Sequence, residues 1–176
     1  MTTFRTSGRA IVLVVAVALT LFVAACGDSG DDKADLTVAN QWVKAVPQGQ
    51  MTAAFGVLTN TTDSDIHVTA ASSPAAGRME LHEVVPGVGG AMQMRQKDGG
   101  FVISAHGSLE LTPGGYHLMM FDLPAPLTPG EDVAITLTLF DGSTTSFSAQ
   151  VRDFAGANED YGPGHGMPTS TTAPGA

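Results

Sequence analysis

Apolar and polar residues alternate along much of the chain after residue 35, with the two-residue period of β-strands. In the segment VAITLTLF (133–140) nearly every second residue is aliphatic, and two threonines fall between them. An Asp-Gly pair at 141–142 then leads into STTSFSAQV (143–151). An Asp-Gly pair between two alternating segments is typical of a β-hairpin, so we predict one here.

Eight further segments have the composition of short strands, and turn-forming clusters such as PGVGGA, KDGG and TPGG separate several of them. No segment has an apolar stripe with the helical period of 3.6 residues over a helical length. The pattern therefore predicts an all-β fold, either a β-sandwich or a Greek-key barrel. The predicted strands are QWVKAV, MTAAFGVLTN, IHVTAAS, MELHEVV, AMQMRQ, FVIS, LELT and HLMMFDL.

The two ends of the chain differ from this β-rich middle. Residues 1–25 combine two arginines with a long apolar run and resemble a signal peptide, although a plain membrane anchor would also fit. The run ends in VAAC, which resembles a bacterial lipobox with Cys26 as the lipidated residue. We therefore predict an extracytoplasmic lipoprotein that is attached to the bacterial cell membrane through this lipid anchor.

The remaining boundaries follow from composition. Residues 26–35 are small and acidic, as in a flexible tether. Residues 36–156 form the predicted domain, which is long enough to enclose one modest core. Residues 157–176 are rich in Gly, Pro, Ser and Thr, a composition that predicts a disordered tail.

Charge and cysteine content exclude several kinds of function. All 17 acidic residues but only six of the eight basic residues follow Cys26, so the mature chain has a formal charge of −11. This charge argues against nucleic-acid binding, which needs basic clusters. Cys26 is the only cysteine, so the mature domain has neither a disulfide nor a thiolate ligand.

Histidine and methionine recur together in the predicted strands. Residues two apart in a strand point to the same face, so His117 and Met119 project together while the neighbouring Met120 turns toward the core. Upstream, MELHEVV contains His82, and the next strand contains Met92 and Met94, again two residues apart. Imidazoles and thioethers therefore recur on the faces of neighbouring strands.

Such a donor set favours copper over other metals. Cu(I) prefers thioether and imidazole ligands. Zn(II) is normally bound by cysteine or carboxylate beside histidine, and Mg(II) and Ca(II) need oxygen ligands. A site without thiolates also suits an oxidising compartment, where thiols form disulfides.

Long segments of the chain resemble the periplasmic PCu(A)C copper chaperones. The similar segments are QWVKAVPQGQMTAAFGVLTN, ASSPAAGRMELHEV, MQMR, LTPGGYHLMMFDL and LTPGEDVAITLTLFDG. The family's metal motif is His-x10-Met-x21-His-x-Met, and the resemblance implies that His82, Met94, His117 and Met119 are the copper ligands.

Two spacings differ from the motif, because 11 residues separate His82 from Met94 and 22 separate Met94 from His117. Both extra residues fit in predicted loops, where insertions cost little. Met92 remains an alternative to Met94. We prefer Met94 because it precedes Arg95, as the family methionine usually does.

The resemblance implies a cupredoxin-like Greek-key β-sandwich and a function for the chain. The protein is expected to capture Cu(I) and pass it toward the Cu(A) centre of cytochrome c oxidase, without acting as an enzyme. A Sco-type copper protein and cytochrome c oxidase subunit II are the implied partners. The alternative is a copper-scavenging or resistance lipoprotein that stores the metal without delivering it.

Two further hypotheses concern copper chemistry. Electron transfer through a blue-copper site needs His2Cys ligation, which the mature domain lacks. In the tail, GHGMP contains a second His-x-Met pair, His165 and Met167. This pair could add a weak second copper site or supply a ligand for Cu(II).

Overall fold

A computed structural model describes residues 35–156 and 160–161. The predicted signal peptide, Cys26 and the tail pair His165 and Met167 lie outside the described residues. Contacts between residues divide the chain into two units, Met1–Asp32 and Lys33–Ala176. The first unit also lies outside the described residues. Within the described part, no helix is long and apolar enough to cross a bilayer.

The regular structure of the described residues is almost entirely β. Each of the ten predicted strands overlaps one of the first ten observed strands, and a short 3-10 turn at Val88–Gly90 occupies the predicted PGVGGA turn. A further two-residue strand lies within the segment for which we predicted disorder. The strands are β1 (Leu36–Lys44), β2 (Thr52–Asn60), β3 (Ile66–Ser72), β4 (Arg78–Pro86), β5 (Met92–Gln96), β6 (Phe101–Ile103), β7 (Ser108–Leu111), β8 (His117–Phe121), β9 (Asp132–Leu139), β10 (Thr144–Arg152) and β11 (Asp160–Tyr161).

The strands pair in the spatial order β11-β5-β4-β8-β2-β1-β10-β9-β3-β6, and β7 pairs with β2. The pairs β1–β10 and β5–β11 are parallel, and the others are antiparallel. Strands that are distant in sequence, such as β4 and β8, become neighbours, as in Greek-key folds. Strand β3 also contacts β4, so the sheet closes around its interior. The predicted all-β, Greek-key architecture is confirmed.

The main core fills the space inside the sheet. The aliphatic residues of β9 that alternate with threonine and alanine all point into it, as the sequence pattern predicts. Leu118 and Met120 of β8 join them and are fully buried. His117 and Met119 point the other way, and residues on that opposite face form the candidate site.

A β-bulge in β1 brings an aromatic ring to the opposite face. Val38 pairs with Leu58 of β2, but the register then shifts by one residue, so that Trp42 pairs with Phe55. Asn40, within the bulge, has a left-handed φ of 55°. Because a shift of one residue exchanges the two faces of a strand, the bulge turns Trp42 away from the main core.

Glycine at position 56 makes room for this bulge. A Cβ atom at Gly56 would lie 3.2 Å from the carbonyl oxygen of Ala39 and 3.2 Å from Cα of Gln41. The φ angle of Gly56 is 154°, which L-residues rarely adopt.

We expect Gly56→Ala to lower the free energy of unfolding by about 1–3 kcal/mol, since both backbone strain and a close contact oppose the added methyl group. Urea denaturation followed by Trp42 fluorescence measures the change. Gly142→Ala is the matched control, because Gly142 has a φ of 87° but faces open space. Equal losses in the two variants would show that the close approach at Gly56 does not matter.

Candidate metal centre

Two histidines lie directly opposite each other on neighbouring strands. Strand β4 runs antiparallel to β8, and His82 is the register partner of His117. Directly opposed residues of an antiparallel pair share one face and have neighbouring Cβ atoms. The ring centroids of the two imidazoles are 5.4 Å apart, and each residue is only 2% exposed. The fold therefore brings together two imidazoles that are 35 positions apart in the sequence.

Each imidazole uses one ring nitrogen in a hydrogen bond within the site. Nε2 of His82 lies 2.7 Å from Oε2 of Glu80, and Nδ1 of His117 lies 3.0 Å from the carbonyl oxygen of Gly115. The second nitrogens, Nδ1 of His82 and Nε2 of His117, are buried. These are the atoms with which the two rings would bind a metal ion.

Both preferred methionines lie on the same face as the histidines. Met119 is two residues after His117 on β8 and pairs with Glu80 of β4. Met94 lies on β5, where it pairs with Val84, two residues from His82 on β4. Both methionines are buried. The three adjacent strands β5, β4 and β8 thus bring all four predicted ligands to one face of the sheet.

The two alternatives on β5 differ in burial. Met92 shares the face of Met94 but pairs with Pro86 at the end of β4, and it is 45% exposed, against 8% for Met94. Met94 is therefore the more enclosed of the two thioethers.

Aromatic residues surround the site, a feature that sequence reasoning did not find. We call the buried residues Ala53, Phe55, Met119 and Phe121, with the partly buried Trp42 and Met51 packed on them, the outer-face cluster. Phe55 lies 6.3 Å from the ring of His117, and Phe121 lies 6.0 Å from the ring of His82. On β2, both faces are buried over residues 52–56. The run AAFGV (53–57), which lacks polar residues at alternate positions, was the available sequence signal.

The chain beyond β10 also approaches this face. The ring of Phe154 packs edge-on against Trp42 with the centroids 5.2 Å apart, and Nζ of Lys44 donates to the carbonyl oxygen of Gly156. Farther on, the backbone of β11 pairs with β5 at Gln93 and Met94. Residues after β10 therefore contact the strands that flank the site, β1 on one side and β5 on the other.

Sequence reasoning also missed a buried carboxylate. Glu80 is 8% exposed, faces the site two residues before His82, and forms an ion pair with Arg78. The guanidinium of Arg78 lies over the ring of Phe121, 3.8 Å from its centroid. The two-residue spacing in MELH was the signal that could have revealed Glu80, because it places both side chains on one face.

On the other face of β4, an ion-pair cluster ties β4 to β5. Glu83 accepts hydrogen bonds from Nε and Nη2 of Arg95, and Nζ of Lys97 lies 3.4 Å from its second oxygen. Burial raises the pKa of Glu83, but the hydrogen bond from Arg95 and the charge of Lys97 outweigh it and hold the pKa below its usual value of 4.5.

A carboxylate with a lowered pKa stabilises the fold above the pKa of the unfolded chain, and this stabilisation is lost as pH falls through the folded-state value. Glu83→Gln should therefore lower the free energy of unfolding by about 0.5–1 kcal/mol near pH 7, and the difference should shrink as the pH falls from about 4.5 through the lower pKa of the folded state. Denaturation at several pH values measures it, and Glu110→Gln, at an exposed position on β7, is the charge control. A difference that did not depend on pH would contradict this assignment.

Comparisons with known proteins are consistent with the resemblance. The family model described as "Putative lipoprotein LpqE-like" matches residues 36–151. The "Putative lipoprotein Lxx21020" of Leifsonia xyli subsp. xyli is 45% identical over 124 residues, which cover 70% of this chain and 74% of that protein.

Two solved structures share the fold. The solution structure of CuI-DR1885 from Deinococcus radiodurans is 32% identical, with a TM-score of 0.52, and the match covers 73% of this chain and 87% of that one. The copper-bound PCuAC domain from PmoF2 is 14% identical, with a TM-score of 0.56, and covers 68% and 93%. At that identity, the second match shows the fold alone. The predicted cupredoxin-like sandwich is thereby confirmed.

Proposed function

The chain belongs to the LpqE-like, PCuAC-type family, and from this premise we propose that it is an extracytoplasmic copper chaperone that holds Cu(I) between His82, Met94, His117 and Met119. The observation that carries the proposal is the meeting of two imidazoles and two thioethers on one buried sheet face. A relative with 32% identity that was solved in a Cu(I) form supports the choice of metal.

The chemistry of the four donors fits Cu(I) in particular. All four are neutral, and thioether sulfur is a soft ligand that Cu(I) accepts readily and Zn(II) rarely uses. Within the described residues, no group of three or more His, Cys, Asp or Glu side chains is arranged to hold a metal ion. The site therefore has the soft donors for Cu(I), and the described part of the chain offers no harder cluster that would compete for it.

We propose that the copper is cargo and that the protein performs no reaction on it. Met94 lies on β5 beside the exposed Met92, so this side of the site is the most open to an approaching partner. Delivery would bring copper to a Sco-type protein or to subunit II of cytochrome c oxidase, toward the Cu(A) centre. A lipid on Cys26 would keep the domain at the cell membrane, close to these membrane-associated recipients.

Storage or scavenging is the second candidate, and the burial of the donors favours it. Each of the four side chains is at most 8% exposed, which slows exchange of a bound ion with ligands from another protein. Copper binding alone is common to both functions, so the recipient must be tested in cells.

In vitro, Met94→Leu and Met119→Leu remove a sulfur donor at nearly constant volume, so the fold should survive. Each should weaken Cu(I) binding by at least about tenfold, because the loss of a residue that only supports a metal ligand already weakens binding by about this factor. Anaerobic titration of the full chain against a Cu(I) chelator measures this, and X-ray absorption counts the sulfur and nitrogen neighbours.

Met92→Leu is the matched control and should change the affinity little. Parental affinity in both the Met94 and Met119 variants would refute the ligand assignment.

The same titration on a chain that ends at Tyr161, which retains β11, tests the tail. If His165 and Met167 bind metal, as we propose, this chain keeps its first Cu(I) equivalent but retains less Cu(II) or loses a second equivalent. Unchanged binding of both ions would exclude a role for the pair.

In cells, delivery and storage predict different results. If the protein delivers copper, a deletion strain should lose cytochrome c oxidase activity at low copper and recover it when copper is added. A Met119→Leu copy should fail to restore the activity, whereas a Met92→Leu copy should succeed. Normal oxidase activity together with increased copper sensitivity would favour storage.

A further inference from the structure

Glu80 is a buried carboxylate whose hydrogen bond reaches one of the proposed copper ligands. Its Oε2 lies 2.7 Å from Nε2 of His82, and the two residues are only 8% and 2% exposed. An ionised carboxylate has no proton to donate, so the hydrogen in this bond belongs to the imidazole. The neutral ring of His82 therefore carries its proton on Nε2.

We propose that Glu80 is a positioning residue that holds His82 in the Nε2–H tautomer and thereby makes Nδ1 the copper-binding atom. The inference about copper rests on the proposed function, whereas the inference about the tautomer does not. Neutral imidazole has one nitrogen with a proton and one with a lone pair, so fixing the proton on Nε2 leaves the lone pair on Nδ1. Nδ1 of His82 is buried, and the residue lies on the sheet face that bears the other three proposed donors.

Arg78 explains how a carboxylate can remain ionised at this position. A buried charge is costly unless it is paired, and the guanidinium of Arg78 pairs with Oε1 of Glu80. Arg78 is itself held over the ring of Phe121, which packs in the outer-face cluster. One carboxylate oxygen thus pairs with Arg78, and the other accepts a hydrogen bond from His82. The carboxylate therefore holds the imidazole ring of His82 in its orientation.

The second histidine is oriented by a different device and gives an internal reference. Nδ1 of His117 lies 3.0 Å from the carbonyl oxygen of Gly115, which can only accept a hydrogen bond. His117 should therefore be the Nδ1–H tautomer and bind through Nε2. The two facing histidines are predicted to have opposite tautomers. The hydrogen bond that sets the tautomer of His82 involves a side chain that mutation can remove, whereas the bond at His117 involves the backbone.

Ring-nitrogen NMR of the copper-free full chain tests the proposal directly. The chain contains five histidines, and His→Gln variants assign their long-range proton–nitrogen correlations. At mildly alkaline pH, His82 should show a protonated Nε2 and His117 a protonated Nδ1. Glu80→Ala should produce a mixture of tautomers at His82 and leave His117 unchanged.

Cu(I) competition on the same proteins gives the second readout. Glu80→Ala should weaken binding by about 10–100-fold. Glu83→Gln removes a carboxylate from the opposite face of β4 and serves as the matched control, with parental tautomers and affinity.

A wild-type His82 protonated on Nδ1 would overturn the proposal, even if Glu80→Ala did not fold. An unchanged His82 tautomer in a folded Glu80→Ala chain would overturn it as well. If the wild type bound no Cu(I), the proposed function would fail, while the tautomer measurements would still decide whether Glu80 positions His82.

Discussion

The antiparallel pairing of β4 with β8 is the constraint on which the site depends. It sets His82 opposite His117 and Glu80 opposite Met119. Two proposed ligands on β8 therefore face a third ligand on β4 and the carboxylate proposed to position it. In an antiparallel pair, a slip of one residue would turn every side chain of one strand to the other face. Leu81 and Leu118 resist such a slip because both are buried in the main core, and a slip would move them out of it. The packing of one face thus fixes the chemistry of the other.

Burial on both faces of β8, and of β2 over residues 52–56, distinguishes this part of the sheet from β9 and β10, which have one face toward solvent. Antiparallel sheets commonly leave one face to solvent, where histidine and methionine would be exposed. Here the outer-face cluster and the ring of Phe154 provide a second apolar layer around the donors. This layer lowers the local polarity and excludes water, which suits thioether ligation of a soft ion. In the proposed delivery, a partner must reach donors that the resting fold keeps buried.

The β-bulge in β1 links the two layers. Had β1 continued in register past Ala39, Trp42 would point into the main core, and the ring that packs on Phe55 would be missing from the site face. Asn40 supplies the left-handed backbone of the bulge, and Gly56 leaves room for it on the neighbouring strand. Neither residue is one of the proposed metal ligands, yet both help to place the aromatic cover.

Much of this protein could be predicted from its sequence, because the period of a strand is a local property. Alternation and turn residues located ten strands, and the two-residue spacing placed His117 and Met119 on one face with Met120 on the other. The soft character of the donors was also evident, since it depends only on residue type. Other features could be seen only in the tertiary structure. They are the pairing of β4 with β8, the burial of Met94 but not Met92, the orientation of Trp42 away from the main core, and the hydrogen bond between His82 and Glu80. These features depend on which strands become neighbours, and that choice is made by long-range packing of the whole core, which no local pattern records.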